Sequence, residues 1–187
     1  MGDVLILPGI GNSGPEHWQT RWIARDAGCE RVVQDEWDAP RLADWVARLD
    51  QVMARRDAPA LLVAHSAGCV LTAAWAAAAA PGQVAKVCAA LLVAPSDPDG
   101  PNYPPAPIGF SPVVLRRLPF HSITVASDDD PYATLERSRE FAAAWGSQLV
   151  EMPGTGHINA DSQLGDWDAG YALLQALRAQ YGVRSSS

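Results

Sequence analysis

The chain has 187 residues, 48% hydrophobic and 19% charged, enough apolar material for one full core. Its net charge is −7 and its adjacent basic pairs are confined to Arg55-Arg56 and Arg116-Arg117, which argues against nucleic-acid binding. No apolar run reaches the roughly 18 residues of a membrane span, no leader pattern opens the chain, and Cys29, Cys69 and Cys88 lack C-x-x-C spacing, so a cytoplasmic protein with no membrane, metal or disulfide framework is expected.

Val4 to Leu7 is a short apolar run stopped by Pro8-Gly9-Ile10-Gly11-Asn12-Ser13-Gly14, the pattern of a buried strand entering a glycine-rich loop. Gly9, Gly11 and Gly14 have the G-x-G-x-x-G spacing of a dinucleotide-binding turn, with Asp35 or Glu36 available as its acidic residue. The other reading of this loop is half of an oxyanion hole, presenting the backbone N–H of Ile10. Pro15 to Ala27 carries Trp18, Trp22 and Ile23 at helical spacing, with Pro15 suited to a first turn and His17 expected to be structural. Arg31 to Trp37 reads as a second strand. Arg41 to Arg56 reads as an amphipathic helix through Leu42, Trp45, Val46, Leu49 and Val52, closed by Pro59.

Ala60 to His65 predicts a third strand that delivers Ser66 into an alanine-rich helix from Ala67 to Ala80. Ala64-His65-Ser66-Ala67-Gly68 is the G-x-S-x-G nucleophile elbow with Ala in place of the first Gly. The elbow needs small neighbours because helix and strand pass closely, and it lifts the serine Oγ above the carboxyl edge of the sheet. The helix N-terminus, with the N–H of Ala67, faces a developing oxyanion. His65 is next to the serine in sequence, but successive residues at the elbow point to different sides, so it is not expected to act as the base.

Lys86 to Val93 is a continuous apolar run and a fourth strand. The proline-rich segment Ala94 to Pro112 is expected to wall a pocket with Tyr103 and Phe110. Ser122 to Ala126 is a fifth strand, followed by Ser127-Asp128-Asp129-Asp130-Pro131-Tyr132 and a helix through Leu135, Phe141 and Trp145 that Gly146 stops. Gln148 to Met152 is a sixth strand running into Gly154-Thr155-Gly156-His157, and Asp168 to Tyr181 is a final helix. The prediction is an α/β fold: a doubly wound, mostly parallel six-stranded sheet with helices on both faces and little or no cap. It forms a single domain over 1–183 with a frayed tail at 184–187.

Ser66, the acidic triplet and His157 thus each follow a different strand, in the chain order Ser, Asp, His of α/β hydrolases. In an open parallel sheet such ends lie along one edge and can meet. His157 would take the Ser66 proton, with an Asp fixing its tautomer. Among the three acids Asp130 fits best, because Pro131 stiffens the backbone beyond it and Thr134 offers another cap for the next helix; Asp128 and Asp129 are expected to face solvent or hold the turn.

These residues resemble the small serine hydrolases of the retinoblastoma-binding-protein-nine type, an α/β-hydrolase family with bacterial members. The likeness covers nearly the whole chain. It rests on Pro8-Gly9 with Ser13, His17-Trp18-Gln19 and Trp22; Ala64 to Gly68; Leu118-Pro119-Phe120 with Ala126 to Tyr132; Trp145-Gly146-Ser147; and Gly156-His157-Ile158-Asn159 with Trp167. The resemblance implies Ser66 as nucleophile, Asp130 as acid and His157 as base, with no metal or organic cofactor. His121, where a proline is more usual, and the Gly165-Asp166-Trp167-Asp168 stretch depart from the family pattern, and both are expected to bear on the pocket mouth rather than the triad. The family name itself carries no implication, because Cys29-Glu30 lacks the frame of an L-x-C-x-E segment.

The expected activity is cofactor-independent hydrolysis of small carboxylic esters, with amides and thioesters open to the same chemistry, through an acyl-enzyme intermediate. Short substrates are expected, in a pocket walled by Tyr103, Phe110, Tyr132 and Trp167. Fold and triad alone leave open a different class, a hydrolase-shaped interaction module whose task is partner binding. Oligomeric state and natural substrate are not legible.

Overall fold

The computed structural model describes residues 2–182, so the expected tail at 184–187 lies outside the described residues. Six parallel strands form one sheet: β1 (Val4–Leu7), β2 (Cys29–Arg31), β3 (Ala60–His65), β4 (Val87–Val93), β5 (His121–Ala126) and β6 (Gln148–Glu151). Their spatial order is β2-β1-β3-β4-β5-β6. The order reverses between β1 and β3, and at such a switch point the two connections diverge and leave a crevice at the carboxyl ends of the strands.

Period-two alternation sorts the strand side chains onto two faces. Leu5, Leu7, Leu62, Ala64, Ala90 and Leu92 pack with α2 (Leu42–Ala54), α3 (Ala67–Ala78) and α5 (Leu135–Trp145), while Val4, Ile6, Leu61, Val63, Leu91 and Val93 pack with α1 (Trp18–Arg25) and α6 (Asp168–Tyr181). Both faces are covered, which is why β3 and β4 read as unbroken apolar runs. Alanine in α3 has a steric reason: the helix is buried from Ala67 through Ala73, and a Cβ on Gly68 would stand 2.4 Å from the Leu7 carbonyl oxygen.

Three expectations about elements need correction. The second strand covers only Cys29–Arg31, paired with Val4 to Ile6 of β1, and β1 itself ends one residue later at Leu7. After the Val32 N–H bonds Ile6, the chain departs, leaving Val33 62% exposed and placing the Trp37 carbonyl where it accepts the Gly11 N–H. The first helix starts at Trp18 with His17 as its N-cap, so a ten-residue loop separates it from β1 and the glycines do not form a dinucleotide-binding turn. The alanine-rich helix ends at Ala78 rather than Ala80, and Pro81 opens a one-turn helix, α4 (Pro81–Val84). A 3₁₀ turn at Ala160–Ser162 was not expected. Gly146 stops α5 as expected, in the left-handed conformation at φ 67°.

Candidate active site

Ser66 sits at the C-terminal end of β3 with φ 56° and ψ −124°, a conformation that costs a non-glycine residue about 1–3 kcal/mol and persists only when its surroundings impose it. Two close approaches impose it here. The Leu7–Pro8 backbone fills the space beside Gly68, and a Cβ added at Gly9 would lie 2.8 Å from the Ser66 Cβ and 3.2 Å from its Oγ. The loop after β1 is therefore pressed against the serine. Ile10 lines the cavity beside it, and among the described residues neither the Ile10 nor the Ala67 N–H donates to a protein acceptor.

His157 Nε2 lies 2.9 Å from Ser66 Oγ, and His157 Nδ1 lies 2.8 and 2.9 Å from the two Asp130 carboxylate oxygens. The carboxylate takes the Nδ1–H, which leaves Nε2 as the acceptor for the serine hydroxyl. Asp130 and His157 side chains are only 3% and 8% exposed, so the pair is shielded from water. Asp130 also accepts the Tyr132 N–H at 2.9 Å, while Thr134 caps α5 by accepting the Arg137 N–H. The acid is thus free of the capping role that competes for it.

The other two acids hold the base's loop. Asp128 accepts the Gly154 N–H, the Ser127 hydroxyl accepts the Thr155 N–H and donates to Asp129, and Asp129 accepts the Gly156 N–H. From the other side His65 Nε2–H donates to the His157 carbonyl at 2.9 Å and Trp18 Nε1–H donates to the Ile158 carbonyl at 2.7 Å. His65 does not bond Ser66; it positions the backbone of His157, a role that sequence spacing gave no means of seeing. His17 packs its ring 4.7 Å from His65. Burial, then the neighbouring His157 imidazole and Arg31, push the His17 pKa down to about 4, and burial with the two neighbouring imidazoles holds His65 well below the usual imidazole range.

A cavity of about 290 Å³ opens over Ser66. Tyr103 and Tyr132 line it, and the Tyr132 ring meets the His157 ring edge-on at 4.6 Å. Phe110 and Trp167 do not. Phe110 is 1% exposed and packs its ring against Trp45, filling core behind Tyr103. Trp167 is buried against Trp18 and Trp22 on the α1–α6 face, where the large apolar surface of its indole is removed from water. His121 opens β5 at the opposite edge of the sheet and stacks on Tyr181, far from the pocket mouth. Asn12, Ser96 and Asn159 join the wall and were missed, because short polar residues in loops carry no periodic signal.

A parallel α/β sheet with a serine on a strained strand-to-helix turn, hydrogen-bonded to a histidine and through it to an aspartate, defines the α/β-hydrolase class. The chain matches the serine hydrolase family over residues 4–176 and belongs to it; it is an enzyme of that type. It is similar to a YdeN-like hydrolase from Pectobacterium atrosepticum, with 28% identity, 96% of this chain and 89% of the other covered, and a TM-score of 0.78. The ydeN product of B. subtilis shares the fold at 19% identity, with 96% and 100% covered and a TM-score of 0.77. Est1E from Butyrivibrio proteoclasticus, solved with ferulic acid bound, shares it at 13% identity, with 96% and 90% covered and a TM-score of 0.67. No curated protein gives a sequence match. Among the described residues no cluster of His, Cys, Asp and Glu could hold a metal ion, and no helix is long and apolar enough to cross a membrane.

Proposed function

We propose that the protein hydrolyses small carboxylic esters, with amides and thioesters accessible to the same steps, and that within the serine hydrolases it is of the retinoblastoma-binding-protein-nine type. The observation that carries the reading is the unbroken chain from Ser66 Oγ through the His157 ring to Asp130, with contacts of 2.9 and 2.8 Å. Ser66 Oγ attacks the acyl carbon as its proton passes to His157 Nε2, and the Asp130 carboxylate offsets the charge on the imidazolium. The tetrahedral oxyanion is met by the Ile10 and Ala67 N–H groups, which have no other protein acceptor among the described residues.

The C–O bond to the alcohol then breaks, and the alcohol leaves with the proton held on His157. Water attacks the Ser66 acyl ester as His157 again takes a proton, and collapse releases the carboxylic acid and restores the Ser66 hydroxyl. No step calls on a cofactor. The test is Ser66→Ala, which adds no volume: turnover of a short acyl ester should fall by several orders of magnitude with the fold retained. Retained turnover would show that another group attacks.

A further inference from the structure

The Ser66 cavity has a neighbour. A second cavity, of about 280 Å³, lies within the long connection from β4 to β5, where Pro98, Pro105, Pro107 and Phe110 form part of its wall. Tyr103 and Pro104 line both cavities, and no other described residue does. Phe110, missing from the wall of the Ser66 cavity, thus lines the space beyond Tyr103, with the two rings 6.4 Å apart. Two adjacent residues are therefore the partition between the reacting serine and a second space of similar size.

That partition is anchored at both ends. On one side the Tyr103 N–H donates to the Gly100 carbonyl at 3.3 Å and the Asn102 side chain donates to the Pro131 carbonyl at 2.8 Å; on the other the Ile108 N–H donates to the Pro40 carbonyl at 2.8 Å. Between the anchors Pro104, Pro105 and Pro107 each fix φ near about −65°, which leaves the stretch little freedom to swing aside. Tyr103 also packs against the core cluster that contains Phe110 and Trp45. A wall held in this way sets a limit on length. Neither cavity is lined by Lys, Arg, Asp or Glu, so an uncharged chain passing from one to the other would meet no charge.

We propose that Tyr103 sets the acyl-length limit: its ring closes the Ser66 cavity at the end of a short acyl chain, and the room a longer chain needs lies behind it. This rests on the hydrolase reading above and names the residue that keeps the substrate class short. Shortening Tyr103 would join the two cavities into one well inside the roughly 300–1,000 Å³ of small-molecule sites. A single methylene that a pocket does or does not accommodate changes kcat/KM by about tenfold or more, so a partition several methylenes short of a long chain discriminates strongly.

The experiment measures kcat/KM for nitrophenyl butyrate and nitrophenyl octanoate, which share a leaving group, in the full-length wild type and in Tyr103→Ala, Tyr103→Leu and Tyr103→Phe. The wild type should favour butyrate by at least about tenfold. Tyr103→Ala should raise the octanoate-to-butyrate ratio by at least about tenfold, and Tyr103→Leu should raise it by less. Tyr103→Phe keeps the ring and should leave the ratio where it was. Tyr103→Leu retains apolar bulk against the core, so the test stands even where Tyr103→Ala does not fold. A ratio unmoved in the shortened variants overturns the proposal, as does a ratio moved as far by Tyr103→Phe as by Tyr103→Leu, or a wild type that prefers octanoate. Loss of butyrate turnover from Tyr103→Leu overturns it too, since the ring would then serve the reaction itself. No turnover of either ester by the wild type overturns this proposal, and where a fluorophosphonate adduct on Ser66 is also absent the hydrolase reading falls with it.

Discussion

The Asp129 carboxylate accepts the backbone N–H of Gly156 at 2.7 Å, one residue ahead of His157. With Asp128 on Gly154 and Ser127 on Thr155, it fastens the loop of the base to the loop of the acid, so the distance between Asp130 and His157 is set by backbone contacts beside them. Asparagine keeps an acceptor oxygen and alanine does not. Asp129→Asn should therefore lose less than about tenfold in turnover, whereas Asp129→Ala leaves the Gly156 N–H without its acceptor and should lose more, together with about 1 kcal/mol of stability by urea titration. Equal effects from the two variants would mean that the contact does not position the base.

Asp130 has a different task, because its charge is needed as well as its shape. Asp130→Asn should cost about 10⁴ in turnover by leaving the imidazole in the wrong tautomer, while Asp128→Asn should cost less than about tenfold. Steady-state rates on one short ester decide between them, and a larger loss at Asp128 would move the acid there.

How far this site can be read from sequence follows from what each part depends on. Ser66, Asp130 and His157 are legible because each follows an apolar strand, and the sheet delivers strand ends to one edge. The bounds of β3 and α6 are legible because their apolar pattern starts and stops abruptly. β2 is not: Val32 and Val33 look like a continuing strand, but pairing with β1 ends at Arg31 opposite Ile6, a fact held in another segment. Phe110 and Trp167 fail as wall residues for a similar reason, since an aromatic beside a loop reads alike whether its ring faces cavity or core. The bond from His65 to the His157 carbonyl was not legible either, since it joins residues 92 apart in the chain.

The buried histidines make stability depend on pH. His17 titrates near 6.5 when unfolded and at about 4 when folded, so the unfolded chain binds the proton more readily. The stabilisation from its neutral ring is complete above pH 6.5 and is lost as pH falls toward 4, by up to about 3 kcal/mol, with His65 adding in the same direction. Urea midpoints should drop between about pH 7.5 and about pH 5, and His17→Asn should reduce that drop. A wild-type midpoint that is constant or rises on acidification would contradict the burial of both rings as neutral species.

The cavity of about 290 Å³ stands at the lower end of small-molecule sites, and among the described residues the connection from β4 to β5 holds no helix to cap it. Across nitrophenyl esters of increasing acyl length, kcat/KM should peak at short chains of about two to four carbons and then fall. A rate that climbs steadily with length would show that the wall opens to admit long chains.

In the proposed reaction Ser66 Oγ is the attacking atom, activated by His157 and Asp130. Incubation with a fluorophosphonate probe followed by mass mapping of the adduct reads this without knowledge of the natural substrate. One adduct is expected, on the peptide carrying Ser66, formed rapidly by the wild type and suppressed in Asp130→Asn. Absence of an adduct from folded wild-type protein, or an adduct on another serine, would contradict it.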